Sequence, residues 1–398
     1  MATQVTNPLA FLDDELEALR RQGLFRWPRV LSGPQEPVAT YDGRQVINLC
    51  SNNYLALANH PRLKAAAVRA VETLGVGPGA VRTIAGNLEI HRVLEAELAA
   101  FKHTEATLLY QSGFTANAGT VAALLGKEDV IVSDELNHAS IIDGARLSGA
   151  TKKIYPHGDV EAARRLLAES RGARRVLLIT DGVFSMDGDI APLPALVEAA
   201  EAYGAIMMVD DAHASGVVGR QGRGTVDHFG LHGRVHIQVG TLSKAFGGLG
   251  GYVAGSRALI DFLVHRARPL LFSTSHPPAV AAAALEAVRY VQEPEGEERI
   301  ARLWEHTRLF KEGLRQLGFD TGRSETPITP ILVGEEALAM RLSDRLFELG
   351  VFALGIAYPT VPRGQARVRT IVTAGHTPEL LRRALDAFER AGRELGLI

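Results

Sequence analysis

The run Ala205-Ile206-Met207-Met208-Val209 breaks off at Asp210-Asp211-Ala212-His213. A short apolar run bounded by polar residues reads as a strand buried on both faces, and the polar end marks where it leaves the core. A second run, Val235–Val239, leads to Thr241-Leu242-Ser243-Lys244-Ala245-Phe246-Gly247-Gly248. A solvated lysine needs no glycines around it. A lysine that forms a Schiff base with a flat aldehyde cofactor needs close backbone approach, which glycine permits. An acid at a strand end, a histidine three residues on and a lysine 31 residues further suggest pyridoxal phosphate. Such enzymes hold the ring nitrogen with a carboxylate and the aldehyde with a lysine.

Outward from these runs, β-prone segments recur at Thr107–Tyr110, Val130–Val132, Val176–Thr180 and Tyr252–Ala254. Helical patterns lie between several of them, at Asn117–Leu125, Val160–Ser170 and Leu193–Tyr203. This alternation predicts an α/β fold with a mostly parallel sheet covered on both faces. Residues 8–24 read as an amphipathic helix with Leu9, Leu12, Leu16 and Leu19 on one face and Gly23 after it. A Pro-marked arm follows (Pro28, Pro34, Pro37), then a helix Pro61–Leu74 stopped by Gly75. A helical pattern runs from Ala279 towards Val291, and Glu293–Glu298 reads as a charged break. Residues 299–398 read as helix, strands and a last helix, Pro378–Leu395. The expected division is an N-terminal helix and arm (1–60), a large cofactor-binding domain (61–290) and a small C-terminal α+β domain (291–398).

The chain of 398 residues is 46% hydrophobic and 22% charged, which supports a large core. A formal net charge of −2 offers no basic excess for nucleic acid or anionic membrane. Cys50 is the one cysteine, so no internal disulfide forms. The start, Met1-Ala2-Thr3-Gln4-Val5, lacks a secretory pattern, and no uncharged apolar stretch approaches the ~20 residues of a membrane span. The cytoplasm is the expected compartment.

Candidate residues follow from chemistry. A carboxylate bonded to a protonated pyridine nitrogen keeps the ring an electron acceptor, and Asp210 is preferred over its rival Asp211 because it directly follows the strand. Taken alone, Asp210 also reads as a helix cap after a strand. His213 is a candidate for the cofactor's phenolic oxygen, and His138 for a flat partner stacked on the ring and a proton relay. Ser112-Gly113-Phe114, with Thr115 and Asn117, forms a small-residue turn before a helix, and such a turn offers free N–H groups to phosphate. Thr241 adds a hydroxyl to the same phosphate. Ser185, in Ser185-Met186-Asp187-Gly188-Asp189, is either a cofactor contact or part of an Asp-Gly turn. Those acids lack the spacing of a calcium loop, and no metal is expected. Gly75-Val76-Gly77-Pro78-Gly79 follows a helix rather than a strand and is not read as a dinucleotide loop. Arg367 and Arg369 alternate onto one face of a predicted strand, as a solvated edge or as a clamp on a substrate carboxylate.

Together these segments closely resemble the α-oxoamine synthases, pyridoxal-phosphate enzymes of the aspartate aminotransferase fold (fold type I). The resemblance covers nearly the whole chain. It includes Asn52-Asn53-Tyr54-Leu55, Asp134–Ser140, Asp181–Asp189, Phe272-Ser273-Thr274 and Pro359–Arg369. By resemblance, Lys244 is the Schiff-base lysine and general base, Asp210 the pyridine partner, His213 the phenolic-oxygen partner and His138 the stacking residue. Ser185 contacts the cofactor, and Gly113, Phe114 and Thr241 lie on the phosphate side. Asn52 and Arg369 match the amino-acid carboxylate site, and Arg26 and Thr360 the acyl-CoA side. Ser273 and Thr274 match a segment that reaches the neighbouring subunit's phosphate, which implies a homodimer with shared active sites. The implied reaction joins an amino acid to an acyl-CoA. Thr180–Phe184, Ile141–Gly144 and Gly364–Arg367 look most like the branch that joins glycine to acetyl-CoA (glycine C-acetyltransferase), which is the expected activity. Phe272–Pro278 and Pro359–Pro362 look more like the branch that joins L-alanine to pimeloyl-CoA (8-amino-7-oxononanoate synthase), so that activity, or both together, is the alternative. An aminotransferase of the same fold and a non-catalytic relative are the rival classes.

Overall fold

The computed structural model describes residues 7–22 and 25–398. Seven strands form the central sheet, in the spatial order Ala106–Tyr110, Gly251–Gly255, Ile237–Thr241, Ile206–Asp210, Val176–Asp181, Val130–Asp134 and Thr151–Tyr155. Gly251–Gly255 runs antiparallel to both neighbours, and all other pairings are parallel. The apolar runs are continuous because both faces are covered. Met208 packs with Val121 and Ile141 on one face, while Met207 and Val209 pack with Leu167 and Leu196 on the other.

The strand Thr151–Tyr155 has no counterpart in the sequence pattern. It is the sheet's edge, and its exposed Thr151 and Lys152 hide the strand periodicity. The helices Glu89–Lys102 and Ala139–Ser148 likewise go beyond the sequence expectation. In the second, Gly144 interrupts the apolar periodicity, and the contact with the helix Gly113–Leu124 explains why it is there. A Cβ at Gly144 would lie 3.1 Å from the Cα of Ala118 and 3.3 Å from the carbonyl oxygen of Asn117. The expected break at Glu293–Glu298 is instead the opening of the helix Pro294–Gln316. Pro294 fits the first turn, where no N–H is needed, and Glu295 and Glu297 suit the positive end of the helix dipole.

Towards the C-terminus, Ile328–Gly334, Ala366–Ile371 and Leu354–Ile356 form an antiparallel three-stranded sheet with Ala366–Ile371 in the middle. The hairpin Val38–Tyr41 and Arg44–Asn48 pairs in parallel with Val351–Phe352, and Ile47 and Leu49 enter a core with Phe310, Leu314 and Phe388. The first helix spans Phe11–Arg21 and buries no residue in this chain. Its expected stop, Gly23, lies outside the described residues. Among the described residues, no helix is long and apolar enough to cross a membrane.

This topology brings several strand ends together. Asp181 pairs with Asp210, Asp210 with Val239, and Thr241 with Gly251. Residues scattered over the sequence therefore meet at one rim of the sheet.

Candidate active site

Three cavities adjoin at that rim. The first, of about 230 Å³, is lined among others by His138, Asp181, Asp210, His213, Thr241 and Lys244. A second, of about 360 Å³, shares Ser243 and Lys244 and adds Cys50 and Asn52. A third, of about 580 Å³, shares His138 and extends past Leu136, Ile142, Phe184, Met186, Tyr358 and Val361. Lys244 thus stands between the first two cavities, and His138 between the first and third.

Lys244 follows the strand Ile237–Thr241 on a turn whose Leu242 N–H donates to the carbonyl of Gly250. Burial lowers its ammonium pKa to about 8; Asp210 and Asp181 oppose that shift, and Arg369 adds to it. Asp210 ends its strand and is buried. Its carboxylate accepts from Asn117 Nδ2 at 2.6 Å and from the Ala212 N–H at 2.8 Å. Asp211, the rival, turns away: it pairs with Lys102 Nζ at 2.9 Å, both side chains being fully buried. Asp210 lines the first cavity and Asp211 does not.

His213 Nδ1 lies 2.7 Å from the hydroxyl of Tyr54. Burial, then the positive charges of Lys244 and Arg369, push its pKa well below the usual value, so the ring is neutral. The Tyr54 hydroxyl therefore donates to Nδ1 or accepts from it according to the tautomer. His138 caps the helix Ala139–Ser148, and its side chain borders both the first and the third cavity. Burial lowers its pKa, Asp210 opposes that, and Lys244 reinforces it.

Ser112 caps the helix Gly113–Leu124, its hydroxyl accepting from the Thr115 N–H at 3.1 Å. That leaves the first backbone N–H groups, at Gly113 and Phe114, free to meet an anion at the positive end of the helix. The turn sits directly on Gly251, where a Cβ would fall 2.4 Å from the carbonyl carbon of Ser112. Thr241 Oγ1 donates to the Gly250 carbonyl at 2.8 Å beside the same turn.

Asn52 lines the second cavity, and its Oδ1 accepts from Arg369 Nη2 at 2.7 Å. Arg367, on the same strand, is instead paired with Asp187 and faces the third cavity. Ser185 and Thr360 also line the third cavity rather than the one around Lys244. Arg26 lies at the surface, 3.5 Å from Asp344, outside these cavities. Ser273 and Thr274 are likewise outside them, their carbonyls accepting from Gln111 Nε2. So the structure gathers Lys244, His138, Asp210, His213, Ser112, Gly113, Phe114 and Thr241 in one cavity, places Asn52 and Arg369 next to it, and leaves Arg26, Ser273 and Thr274 apart.

Three residues, Asp181, Ser140 and Tyr54, join the site beyond the sequence candidates, and Asn117, read as part of the turn before the helix, bonds Asp210 instead. Asp181 ends an apolar run just as Asp210 does, and that repeated pattern is a signal that could have found it. Burial, with Asp210 beside it, raises its pKa well above the ordinary carboxylate value, and its Oδ1 is buried without a partner. Asn117 and Ser140 support Asp210 and His138. Tyr54 lies 159 residues from His213, and no local pattern links the two.

The donor set fits pyridoxal phosphate. A free helix start and a hydroxyl suit the phosphate, an acid the ring nitrogen, an imidazole the phenolic oxygen and an amine the aldehyde. The buried, unpartnered oxygens of Asp181 and Asn117 mark a polar chamber with hydrogen-bonding capacity to spare.

Comparison with known proteins agrees. A family model described as aminotransferase class I and II matches residues 44–388. The chain belongs to the α-oxoamine synthases of that fold, which are pyridoxal-phosphate-dependent acyltransferases. Among its relatives, the 8-amino-7-oxononanoate synthase of Symbiobacterium thermophilum is 63% identical over 390 residues, covering 98% of this chain and 99% of that protein. That of Thermoanaerobacter pseudethanolicus is 59% identical over 391 residues, covering 98% of each. A solved serine palmitoyltransferase of Sphingomonas wittichii superposes with a TM-score of 0.93 at 32% identity, covering 99% of both chains. These relatives favour the alternative reading of the sequence over the expected glycine and acetyl-CoA.

Proposed function

We propose that this chain is an 8-amino-7-oxononanoate synthase, joining L-alanine to pimeloyl-CoA with loss of carbon dioxide and free CoA. The structural observation that carries this choice of acyl group is the third cavity. At about 580 Å³, with Leu136, Ile142, Phe184, Met186 and Val361 in walls that also carry Glu135, Asp187 and Arg367, it offers more space than an acetyl group fills. It opens beside His138, next to the Lys244 chamber, where a thioester carbon would have to arrive. The relatives' names support the same reading.

When bound, pyridoxal phosphate supplies an aldehyde that condenses with amines and a cationic ring that accepts electron density from the substrate's α-carbon. The chain's own residues do the rest. The helix start at Gly113 and Phe114, with Thr241, holds the phosphate. Asp210 keeps a proton on the ring nitrogen. Tyr54 orients His213 towards the phenolic oxygen. Arg369, held by Asn52, binds the carboxylate of the amino acid as a charge-assisted pair. Lys244 Nζ, with its pKa lowered to about 8, is partly unprotonated near neutral pH and removes the α-proton. The imidazole of His138, on the wall of the same cavity, would offer a flat face to the ring and limit the access of water. Two copies are proposed to complete each site, Ser273 and Thr274 serving the neighbour's phosphate.

The test is a steady-state comparison of acetyl-, succinyl-, pimeloyl- and palmitoyl-CoA, each with glycine and with L-alanine. We expect L-alanine with pimeloyl-CoA to exceed glycine with acetyl-CoA by at least about tenfold in kcat/KM, since one methylene in a fitted pocket is already worth ~1–3 kcal/mol. The opposite order would restore the glycine and acetyl-CoA reading.

A further inference from the structure

A continuous line of hydrogen bonds joins two groups on opposite sides of the cofactor chamber. Asp210 Oδ2 accepts from Asn117 Nδ2 at 2.6 Å. The same amide nitrogen donates to Ser140 Oγ at 2.9 Å. Ser140 Oγ lies 2.7 Å from His138 Nδ1. Asn117 and Ser140 are both fully buried.

The direction of each bond can be worked out. A carboxylate only accepts, so the Asn117 amide must present its NH₂ to Asp210, and flipping it would set two acceptors together. Ser140 Oγ already accepts from that amide, which frees its own hydrogen for His138. The decisive bond is the backbone N–H of Ser140, 3.2 Å from His138 Nδ1. A backbone N–H can only donate, so Nδ1 must be an acceptor and carries no proton. The remaining proton of the ring is on Nε2, which makes no hydrogen bond to the described residues.

We propose that Asn117 and Ser140 are positioning residues that tie the Asp210 carboxylate to the His138 imidazole and fix His138 as the neutral tautomer with its proton on Nε2. His138 borders both the ring cavity and the acyl cavity, so the fixed Nε2–H is a hydrogen-bond donor available where the acyl carbonyl enters. Protonating Nδ1 would set its new hydrogen against the Ser140 N–H, a donor that cannot turn away, and would force the Ser140 hydroxyl to reverse. The titratable groups around the ring are Asp210, Asp181, Lys244 and the neutral His213 on the side of the first cavity, and Glu135, Asp187 and Arg367 on the side of the third. Gly144 belongs to the same device. Its missing side chain lets the helix Ala139–Ser148 come close enough to the helix Gly113–Leu124 for Ser140 to reach Asn117. The role given to the Nε2–H rests on the proposed function, but the tautomer does not.

The experiment uses pyridoxal-phosphate-loaded enzyme labelled with ¹⁵N-histidine, the His138 resonances being identified by their loss in His138→Gln. Wild type should show Nε2 protonated and Nδ1 bare. Ser140→Ala and Asn117→Ala keep the backbone N–H of residue 140 and with it the bare Nδ1, but they cut the link to Asp210 and should shift the pH titration of the cofactor's visible absorbance. They should also lower kcat by about 10–100-fold, as loss of outer partners that orient a histidine does elsewhere. Ser140→Thr, which keeps the hydroxyl, should restore both readings. A wild-type His138 protonated on Nδ1 would overturn the proposal without any variant. So would Ser140→Ala and Asn117→Ala proteins that keep the wild-type titration and kcat, or a Ser140→Thr that restores neither. If wild type shows the expected tautomer yet ignores L-alanine and pimeloyl-CoA, the proposed function fails and the hydrogen-bonded line stands.

Discussion

Lys244 illustrates how one residue acquires its chemistry from its surroundings. An ordinary lysine is almost fully protonated at neutral pH and a poor base. Burial in the chamber lowers the pKa to about 8, and the two carboxylates Asp210 and Asp181 keep it from falling further. The folded chain therefore releases this proton more readily than the unfolded chain. Between about pH 8 and the ordinary lysine range the unfolded state binds more protons, so this group's contribution to the stability of the cofactor-free protein improves as pH rises. We predict that Lys244→Ala lowers turnover by about 10²–10⁴-fold, the span typical of a lost general base. Borohydride treatment of loaded wild type, followed by peptide mass spectrometry, should tag position 244 and leave the variant untagged. A variant with near wild-type turnover, or a tag elsewhere, would remove Lys244 from the mechanism.

At the scale of elements, the site depends on turns that hold strand ends in place. His157 braces one of them. Its Nδ1 lies 3.0 Å from Asp134 Oδ1 and its Nε2 lies 2.8 Å from Asp189 Oδ2, so it ties the end of the strand Val130–Asp134 to the turn that carries Ser185. Burial alone would lower its pKa, but the two carboxylates outweigh burial and raise it to about 10. A raised pKa means that the folded state holds a proton the unfolded chain gives up. The stabilisation is complete below the ordinary histidine value, near 6.5, and drains away as pH rises towards about 10. The difference in urea midpoint between wild type and His157→Asn should therefore be largest near pH 6 and shrink towards pH 10. Its size should be on the order of a few kcal/mol, since each tenfold gain in proton affinity is worth ~1.4 kcal/mol. A difference that grows with pH would contradict the charged bridge.

For the whole molecule, the arrangement of Ser273 and Thr274 makes a testable demand. Thr274 is exposed, away from the chamber of its own chain, and the first helix leaves Phe11, Leu12, Leu16 and Leu19 exposed as well. A symmetric dimer would place the same patch of each copy against the other. If Thr274 serves the neighbour's phosphate, two inactive proteins should repair each other. Lys244→Ala supplies a sound Thr274, and Thr274→Asp supplies a sound Lys244, so their hybrid contains one complete site. Mixing the two under conditions of subunit exchange should recover activity that neither has alone. Exchange without recovery would place Thr274 outside the shared site.

The sequence alone was enough for the α/β architecture, because strands buried on both faces must be continuous apolar runs, and Val176–Thr180 and Ile206–Val209 are visible as such. Asp210, His213 and Lys244 were legible for the same reason: polar chemistry stands out where an apolar run ends. What sat at an edge or between elements was not legible. The exposed Lys152 disguised the edge strand, and Glu293–Glu298 passed for a break because a helix start attracts the same acids as a loop. Asp181, Tyr54, Asn117 and Ser140 became part of the site only through tertiary structure. Strand register sets Asp181 beside Asp210, and the close approach of two helices at Gly144 brings Ser140 to Asn117. Such partners lie tens to hundreds of residues apart, and hydrogen bonding acts over about 3 Å. Local sequence fixes which groups are present, while packing alone decides which of them touch.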